Sequence, residues 1–386
     1  MSRKTNEIRL NQDGKLVIMQ VSDPQDMVYV RKAMVQMLDS AYDKVKPDLV
    51  LFTGDNILGN HLLDARFGTR QVASGWQATY DRIEKSLAHI LEPLEKRGIP
   101  FAMVYGNHDD CNCVTKQEHI EAYRKYSMCL PMNDSDRRVD CDTYNIPVLS
   151  NDGSKTVFNL WMLDCAWHDH QQDRGYTAIK KETVEWYKEK SAQLKEENGG
   201  KLVKSLLFQH IPLNQTLELL KECKSTKRGA VKAYDSDKYY CLNTEKASGF
   251  LGEYFNGCDD EFGLFEAIKE TGDVMAVVTG HDHCNNFVGE VDGVKFVATP
   301  AASFRCYGND QRGVRVFILD ENKPDEFETY TLDYTDLCGD SLGANLRYIW
   351  DADDKILEKG ILIAGSVCAA AALTFKTVKA LKKIFD

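Results

Sequence analysis

The sequence predicts an α/β fold, and three observations predict it. Apolar runs of strand length alternate with segments of helical period through the first hundred residues. The second half is richer in strand-like runs. Five polar blocks, Asp23-Pro24-Gln25, Gly54-Asp55-Asn56, Gly106-Asn107-His108-Asp109, Gln209-His210 and Gly280-His281-Asp282-His283, each follow directly on one of those runs. Strand ends meet at one edge of a sheet, so blocks far apart in the chain can converge there.

Leu16-Val17-Ile18-Met19-Gln20-Val21 is apolar almost throughout, as a strand covered on both faces should be. Met34, Met37, Leu38, Ala41 and Val45 then recur at helical spacing, and Pro47-Asp48 ends that helix. Leu49 to Thr53 is the second strand. Ile83, Leu87, Ile90, Leu91 and Leu94 mark the next helix face, with a kink expected at Pro93, and Gly98 ends it. Phe101 to Tyr105 is the third strand. This β-α-β-α-β order predicts parallel strands with helices on both faces.

Further on, Val157 to Leu163 and Leu202 to Phe208 read as strands, separated by a helix around Val184, Tyr187 and Leu194 and a turn at Asn198-Gly199-Gly200. Residues 223–260 lack periodicity and are rich in Lys, Tyr, Gly and Asp, which predicts a long irregular insertion beside the site. Val274 to Thr279, Val294 to Thr299, Val314 to Leu319 and Phe327 to Leu332 complete the strands. The chain divides into a domain over 1–335, a connecting segment over 336–358 and a C-terminal helix over 359–386.

The composition bounds the partners. The 386 residues are 43% hydrophobic and 28% charged, as in a globular protein, with a formal net charge of −11. That acidity argues against long nucleic-acid duplexes, whose binding rests on a basic surface. The N-terminus carries no apolar signal core, so a cytoplasmic location is expected, with the 12 cysteines reduced. Their spacing matches no zinc ribbon. Cys111-Asn112-Cys113 reads as a loop, with a redox or metal role as the alternative. Residues 360–375 hold no charge and precede Lys376, Lys379, Lys382 and Lys383. The run is shorter than the roughly 18 residues of a spanning helix. Spanning would also carry the lysines away from the cytoplasm, against the positive-inside tendency. A helix packed on the domain or on another subunit is expected, with membrane contact through that helix as the alternative.

The blocks carry the chemistry. Carboxylate, amide and imidazole groups hold hard and borderline divalent metals. Singly, each block is an ordinary loop, and a lone His210 is a core histidine. Five strand-terminal blocks in order point to a two-metal hydrolytic centre.

Their order, and the stretch from Phe265-Glu266-Ala267 to His283-Cys284-Asn285-Asn286-Phe287, resembles the calcineurin-like metallophosphoesterases. The resemblance is to the branch with the dose-dependent cell-cycle regulator phosphatase and short purple-acid-phosphatase-like proteins. It covers residues 23–283 in motif and extends to about residue 333 in strand order. It implies a four-layer αββα sandwich with metals at the C-terminal strand ends. It also implies that Asp55 bridges two divalent ions (Mn, Fe, Zn or Mg). Asp23, Gln25 and His283 then complete the first ion, and Asn107, His210 and His281 the second. The implied reaction is hydrolysis of a phosphoester by a hydroxide between the ions, with His108 as acid and Asp109 orienting it. The implied substrate is a phosphorylated small molecule or a phosphoprotein. The rival is a non-catalytic scaffold of the same fold that binds proteins.

The chain departs from the family at Gln25, where His is usual. Its neutral amide is a weaker donor, which ligates through oxygen, through water, or leaves the first ion loosely held. The tyrosine of true purple acid phosphatases is replaced by Leu58, so no charge-transfer colour is expected. Three further readings are softer. Trp167-His168-Asp169-His170 is an exposed loop or a substrate contact. Arg305 and Arg312 are a solvated pair or a phosphate grip. Asn285 is expected near the metals.

Overall fold

A computed structural model of the chain describes residues 7–59, 75–109, 111–165, 179–258 and 261–366. In chain order the strands are β1 (Ile8–Arg9), β2 (Lys15–Val21), β3 (Leu49–Thr53), β4 (Phe101–Val104), β5 (Tyr144–Leu149), β6 (Thr156–Met162) and β7 (Lys204–Phe208). They continue with β8 (Leu220–Cys223), β9 (Val231–Lys232), β10 (Tyr239–Leu242), β11 (Ala247–Phe250), β12 (Val274–Thr279), β13 (Asn286–Val291), β14 (Val294–Ala298), β15 (Gly313–Asp320) and β16 (Phe327–Asp333). The helices are α1 (Lys32–Val45), α2 (Trp76–Arg97), α3 (Lys116–Arg124), α4 (Lys181–Glu197), α5 (Leu264–Thr271), α6 (Tyr334–Cys338) and α7 (Leu342–Asp351).

Two sheets form the centre. One has the order β16-β15-β2-β3-β4, the other β1-β5-β6-β7-β12-β14-β13-β11. Strands β2, β3 and β4 are parallel, as are β6, β7, β12 and β14. Every residue of β3 and of β12 is buried, because both faces of these strands are covered. One apolar cluster joins the inner faces of the two sheets and continues into Met34, Met37 and Leu38 of α1 and Ile83, Leu87 and Leu91 of α2. Across the inner faces Phe208 of β7 meets Phe317 of β15 edge-on at 5.7 Å. A second cluster packs Trp161, Leu207 and Val277 of the large sheet against Val184, Trp186 and Tyr187 of α4 and Phe265 and Ile268 of α5. The layers are therefore helix, sheet, sheet, helix.

Helix α2 continues through Pro93 to Arg97 and ends on Gly98 in the left-handed region at φ 66°. The stretch predicted to be irregular carries short strands between its loops. Strands β8, β10 and β9 form a separate antiparallel sheet, and β11 pairs with β13 at the edge of the large sheet. These strands are two to four residues long and mostly half-exposed, too short to show an alternating pattern.

At the C-terminal end α7 buries none of its residues, and residues 356–366 are helical. The turn between them is tied down, with Arg31 paired to Asp353 at 2.7 Å and Arg312 to Asp354 at 2.6 Å. No described helix is long and apolar enough to cross a membrane. The rest of the apolar run and the lysines at 376–383 lie outside the described residues, as does Trp167-His168-Asp169-His170.

Candidate metal centre

Each block leaves a strand end. Asp23 and Gln25 follow β2, Asp55 follows β3, and Asn107, His108 and Asp109 follow β4, all from the smaller sheet. His210 follows β7, and His281 and His283 follow β12, from the larger sheet. Backbone bonds lace the turns together. Asp23 N–H donates to the Gly54 carbonyl at 3.2 Å, Gln25 N–H to that of Asp55 at 2.9 Å, and Gly280 N–H to that of His210 at 3.0 Å. Four of the predicted ligands stand in the left-handed region, Asp23 at φ 48°, Gln25 at 35°, Asp55 at 48° and His281 at 66°. Such a backbone costs on the order of 1 kcal/mol or more per residue and persists where function holds it. The glycines have packing reasons. A Cβ on Gly106 would fall inside the Asp55 carboxylate, and one on Gly280 would strike Ser22 Oγ.

The ligand atoms converge. His210 Nε2 lies 3.1 Å from Asn107 Oδ1, 3.5 Å from Asp55 Oδ1 and 3.3 Å from His281 Nδ1. His283 Nε2 lies 3.5 Å from Asp23 Oδ1, and the Gln25 amide stands beside them, its Nε2–H donating to Asp55 Oδ2 at 3.0 Å. Asp23, Asp55 and His210 offer ligand atoms all within 4.8 Å of one another, and all three are buried. All seven side chains predicted as ligands are thus at one place.

The arrangement fits divalent cations. His210 Nδ1–H donates to the Thr53 carbonyl at 2.9 Å, and His283 Nδ1–H to the Tyr307 carbonyl at 2.9 Å. A carbonyl can only accept, so each ring turns Nε2 toward the centre, and when neutral it could ligate a cation there. Asp23 Oδ1 and Gln25 Oε1 are buried without a hydrogen-bond partner, which a cation would supply.

The electrostatics agree. Burial alone would lower His210, yet Asp55 and Asp23 pull it up to about 10, so their field favours positive charge at that nitrogen. Burial would raise both carboxylates, yet His210 draws each below the usual range, helped at Asp55 by His108 and at Asp23 by His283. His281 is driven down to about 3 by burial and by the neighbouring His210, which leaves it neutral and able to ligate.

His108 sits at the mouth of the centre. Its backbone N–H donates to Asp55 Oδ1 at 2.8 Å, and its Nε2 lies 4.0 Å from Asp55 Oδ2, with the side chain 34% exposed. Asp109 is fully buried, and its carboxylate accepts from Gly106 N–H at 2.8 Å, Ile57 N–H at 3.0 Å and the Asn56 amide at 3.3 Å. These bonds give Asp109 the work of locking together the loops that carry Asp55 and His108. Burial, with the charge of Asp55 adding to it, raises its carboxyl to about 8.

The arginine reading is corrected. Arg312 is buried, paired with Asp354, and bonded to the Ser303, Asn309 and Cys306 carbonyls. Arg305 pairs with the buried Asp26 at 2.5 Å. Both cations serve the scaffold rather than a phosphate. Asn285 is buried beside the centre, with its Oδ1 accepting from Gly252 and Glu253 N–H and its amide donating to Asp282. Cys111 donates to the Asn107 carbonyl at 3.0 Å and Cys113 to Thr79 Oγ1 at 3.4 Å, and no disulfide joins the described cysteines.

A cavity of about 330 Å³ opens over Asp55, His108 and His281. Leu58, Tyr234, Asn256 and Tyr307 also line it. Sequence reasoning missed the last three. The tyrosine-rich composition of residues 223–260 was the signal for Tyr234 and Asn256, and nothing in the sequence pointed to Tyr307.

The chain also resembles known proteins along most of its length. The family described as calcineurin-like phosphoesterase matches residues 16–285. Probable inactive purple acid phosphatase 29 of Arabidopsis thaliana is 28% identical over 295 residues, covering 72% of this chain. The chain spans 66% of that relative's own length. Phosphatase DCR2 of Saccharomyces cerevisiae is 25% identical over 326 residues, covering 78% of this chain and 47% of the yeast protein. A dimetal phosphatase from Danio rerio, known from its crystal structure, aligns with 83% of this chain and 99% of its own, at 12% identity and a TM-score of 0.46.

Proposed function

Because the chain belongs to the calcineurin-like phosphoesterase family, we propose that it hydrolyses phosphoesters at two divalent cations held by Asp23, Gln25, Asp55, Asn107, His210, His281 and His283. The observation that carries this is the crowding at His210. Its Nε2 faces Asn107 Oδ1, Asp55 Oδ1 and His281 Nδ1 at 3.1, 3.5 and 3.3 Å, lone pairs that repel unless a proton or a cation lies among them. The cations would neutralise phosphoryl oxygens and acidify a water to act as nucleophile.

The chain's own residues do the rest. His108, exposed toward the cavity and next to Asp55, delivers a proton to the departing oxygen. Asp109 and Asn56 hold its loop against that of Asp55. Gln25 would hold the first cation through its amide oxygen or through water, a donor that would favour Mn, Mg or Fe over tightly bound zinc. The substrate is a phosphorylated small molecule or a phosphoprotein. Cysteines without a disulfide among the described residues suit a reducing compartment, and we assign the enzyme to the cytoplasm.

The test is metal analysis coupled to hydrolysis of p-nitrophenyl phosphate and its bis ester with added Mn. His108→Ala should keep the metals and lose about 100-fold or more in turnover. Loss of the metals together with turnover would make His108 structural. The scaffold reading has support from Gln25 and from the word inactive in the names of the plant relatives. A fully metal-loaded protein that cleaves neither ester would establish it.

A further inference from the structure

One wall of the cavity carries side chains that supply neither a candidate ligand nor the proposed acid. The Tyr307 ring lies flat on the His283 imidazole, with centroids 4.3 Å apart and planes 10° from parallel. Its hydroxyl donates to Glu253 Oε2 at 2.9 Å, and the Tyr234 hydroxyl donates to the same oxygen at 3.2 Å. Glu253 is itself held. Its Oε1 accepts from Cys284 N–H at 2.7 Å, and its own N–H donates to the buried Asn285 at 3.2 Å. Both tyrosines nevertheless expose more than half their surface, 63% for Tyr234 and 53% for Tyr307, and both face the space over Asp55 and His108. Rings so exposed contribute little to the core. Hydroxyls tied to one carboxylate fix their orientation in advance, which removes the ordering cost of stacking.

We propose that Tyr234 and Tyr307, pinned by Glu253, form an aromatic wall that selects phosphoesters with a flat aromatic ring in the leaving group, as in benzyl or aryl phosphates. The proposal rests on the phosphoester reading and adds the substrate class. A ring entering beside the phosphate stacks on an exposed tyrosine face, an interaction that reaches about tenfold in affinity. The Glu253 carboxylate brings negative charge to the same wall, so a leaving group with a second phosphate is disfavoured.

Binding tests this without turnover. The metal-loaded full chain is titrated calorimetrically with benzylphosphonate and with cyclohexylmethylphosphonate, which differ in the flatness of the ring. Wild type should bind the aromatic compound about five- to tenfold more tightly. Tyr234→Ala, at an exposed position where folding is easily checked by circular dichroism, should move that ratio toward one, and Tyr234→Ala with Tyr307→Ala should abolish it. Equal binding by wild type, or an unchanged ratio in the double variant, overturns the wall and leaves the phosphoester reading intact. Failure of both phosphonates and of inorganic phosphate to bind overturns both.

Discussion

Gln25 is the residue on which the chemistry of the centre turns. Its amide N–H donates to Asp55 Oδ2 at 3.0 Å, which leaves the buried, unpartnered Oε1 as the atom that would meet a cation. An imidazole there would be a better donor than a neutral amide. Gln25→His should tighten the first cation by about tenfold, or about 1.4 kcal/mol, with the second unchanged. Titrating Mn into chelated protein checks this, and equal affinity in both variants would remove Gln25 from the ligand set. All seven candidate ligands were named from the sequence through the family resemblance of their blocks, and the fold brings their side chains to one place. The left-handed backbone at Asp23, Gln25, Asp55 and His281 was not legible there. None of these is glycine, so nothing local signals the conformation, which long-range packing imposes. The service of Arg312 to Asp354 was hidden for the same reason, since its partner lies 42 positions away.

At the scale of elements, helix α3 carries a titratable load. His119 is fully buried between Tyr105 and Tyr123, with ring centroids at 5.2 and 5.5 Å, and neither of its nitrogens has a hydrogen-bond partner. Burial pushes its pKa down to about 3. The unfolded chain, near 6.5, therefore binds the proton more readily over that window. The stability that follows from this is fully present above pH 6.5 and is lost as pH falls toward 3, at up to about 1.4 kcal/mol per pH unit. His119→Phe removes this dependence. Between pH 7 and pH 5, wild type should lose about 2 kcal/mol more stability than the variant, as read by urea unfolding. Equal losses would show that His119 is solvated.

The large elements were legible because their apolar periodicity is long. The sheet of β8, β9 and β10 was not, since two to four half-exposed residues carry no period. Another contact out of reach was the anchor at Asp273, which accepts from Trp161 Nε1 at 2.9 Å, Ser205 Oγ at 2.8 Å and the Tyr187 hydroxyl at 2.6 Å. It ties β6, β7 and α4 together through partners that only the fold brings near.

For the whole molecule, the centre is a clasp between the two sheets. Asp23, Gln25, Asp55 and Asn107 come from the smaller sheet, and His210, His281 and His283 from the larger. Cations bound there join both halves and stabilise the folded state by mass action, about 2.7 kcal/mol for each site at a hundredfold excess over its dissociation constant. Chelation should accordingly lower Tm by several degrees, restored by Mn in calorimetry. The parallel order of β2, β3 and β4 followed from the β-α-β-α-β reading, whereas the pairing of β15 with β2 needed the structure. The most direct measurement of the central claim is anomalous diffraction from a crystal soaked in Mn. Two peaks should lie among these seven side chains, with Asp55 touching both. A map with no peak there, or with Asp55 turned away from His210, would contradict the account.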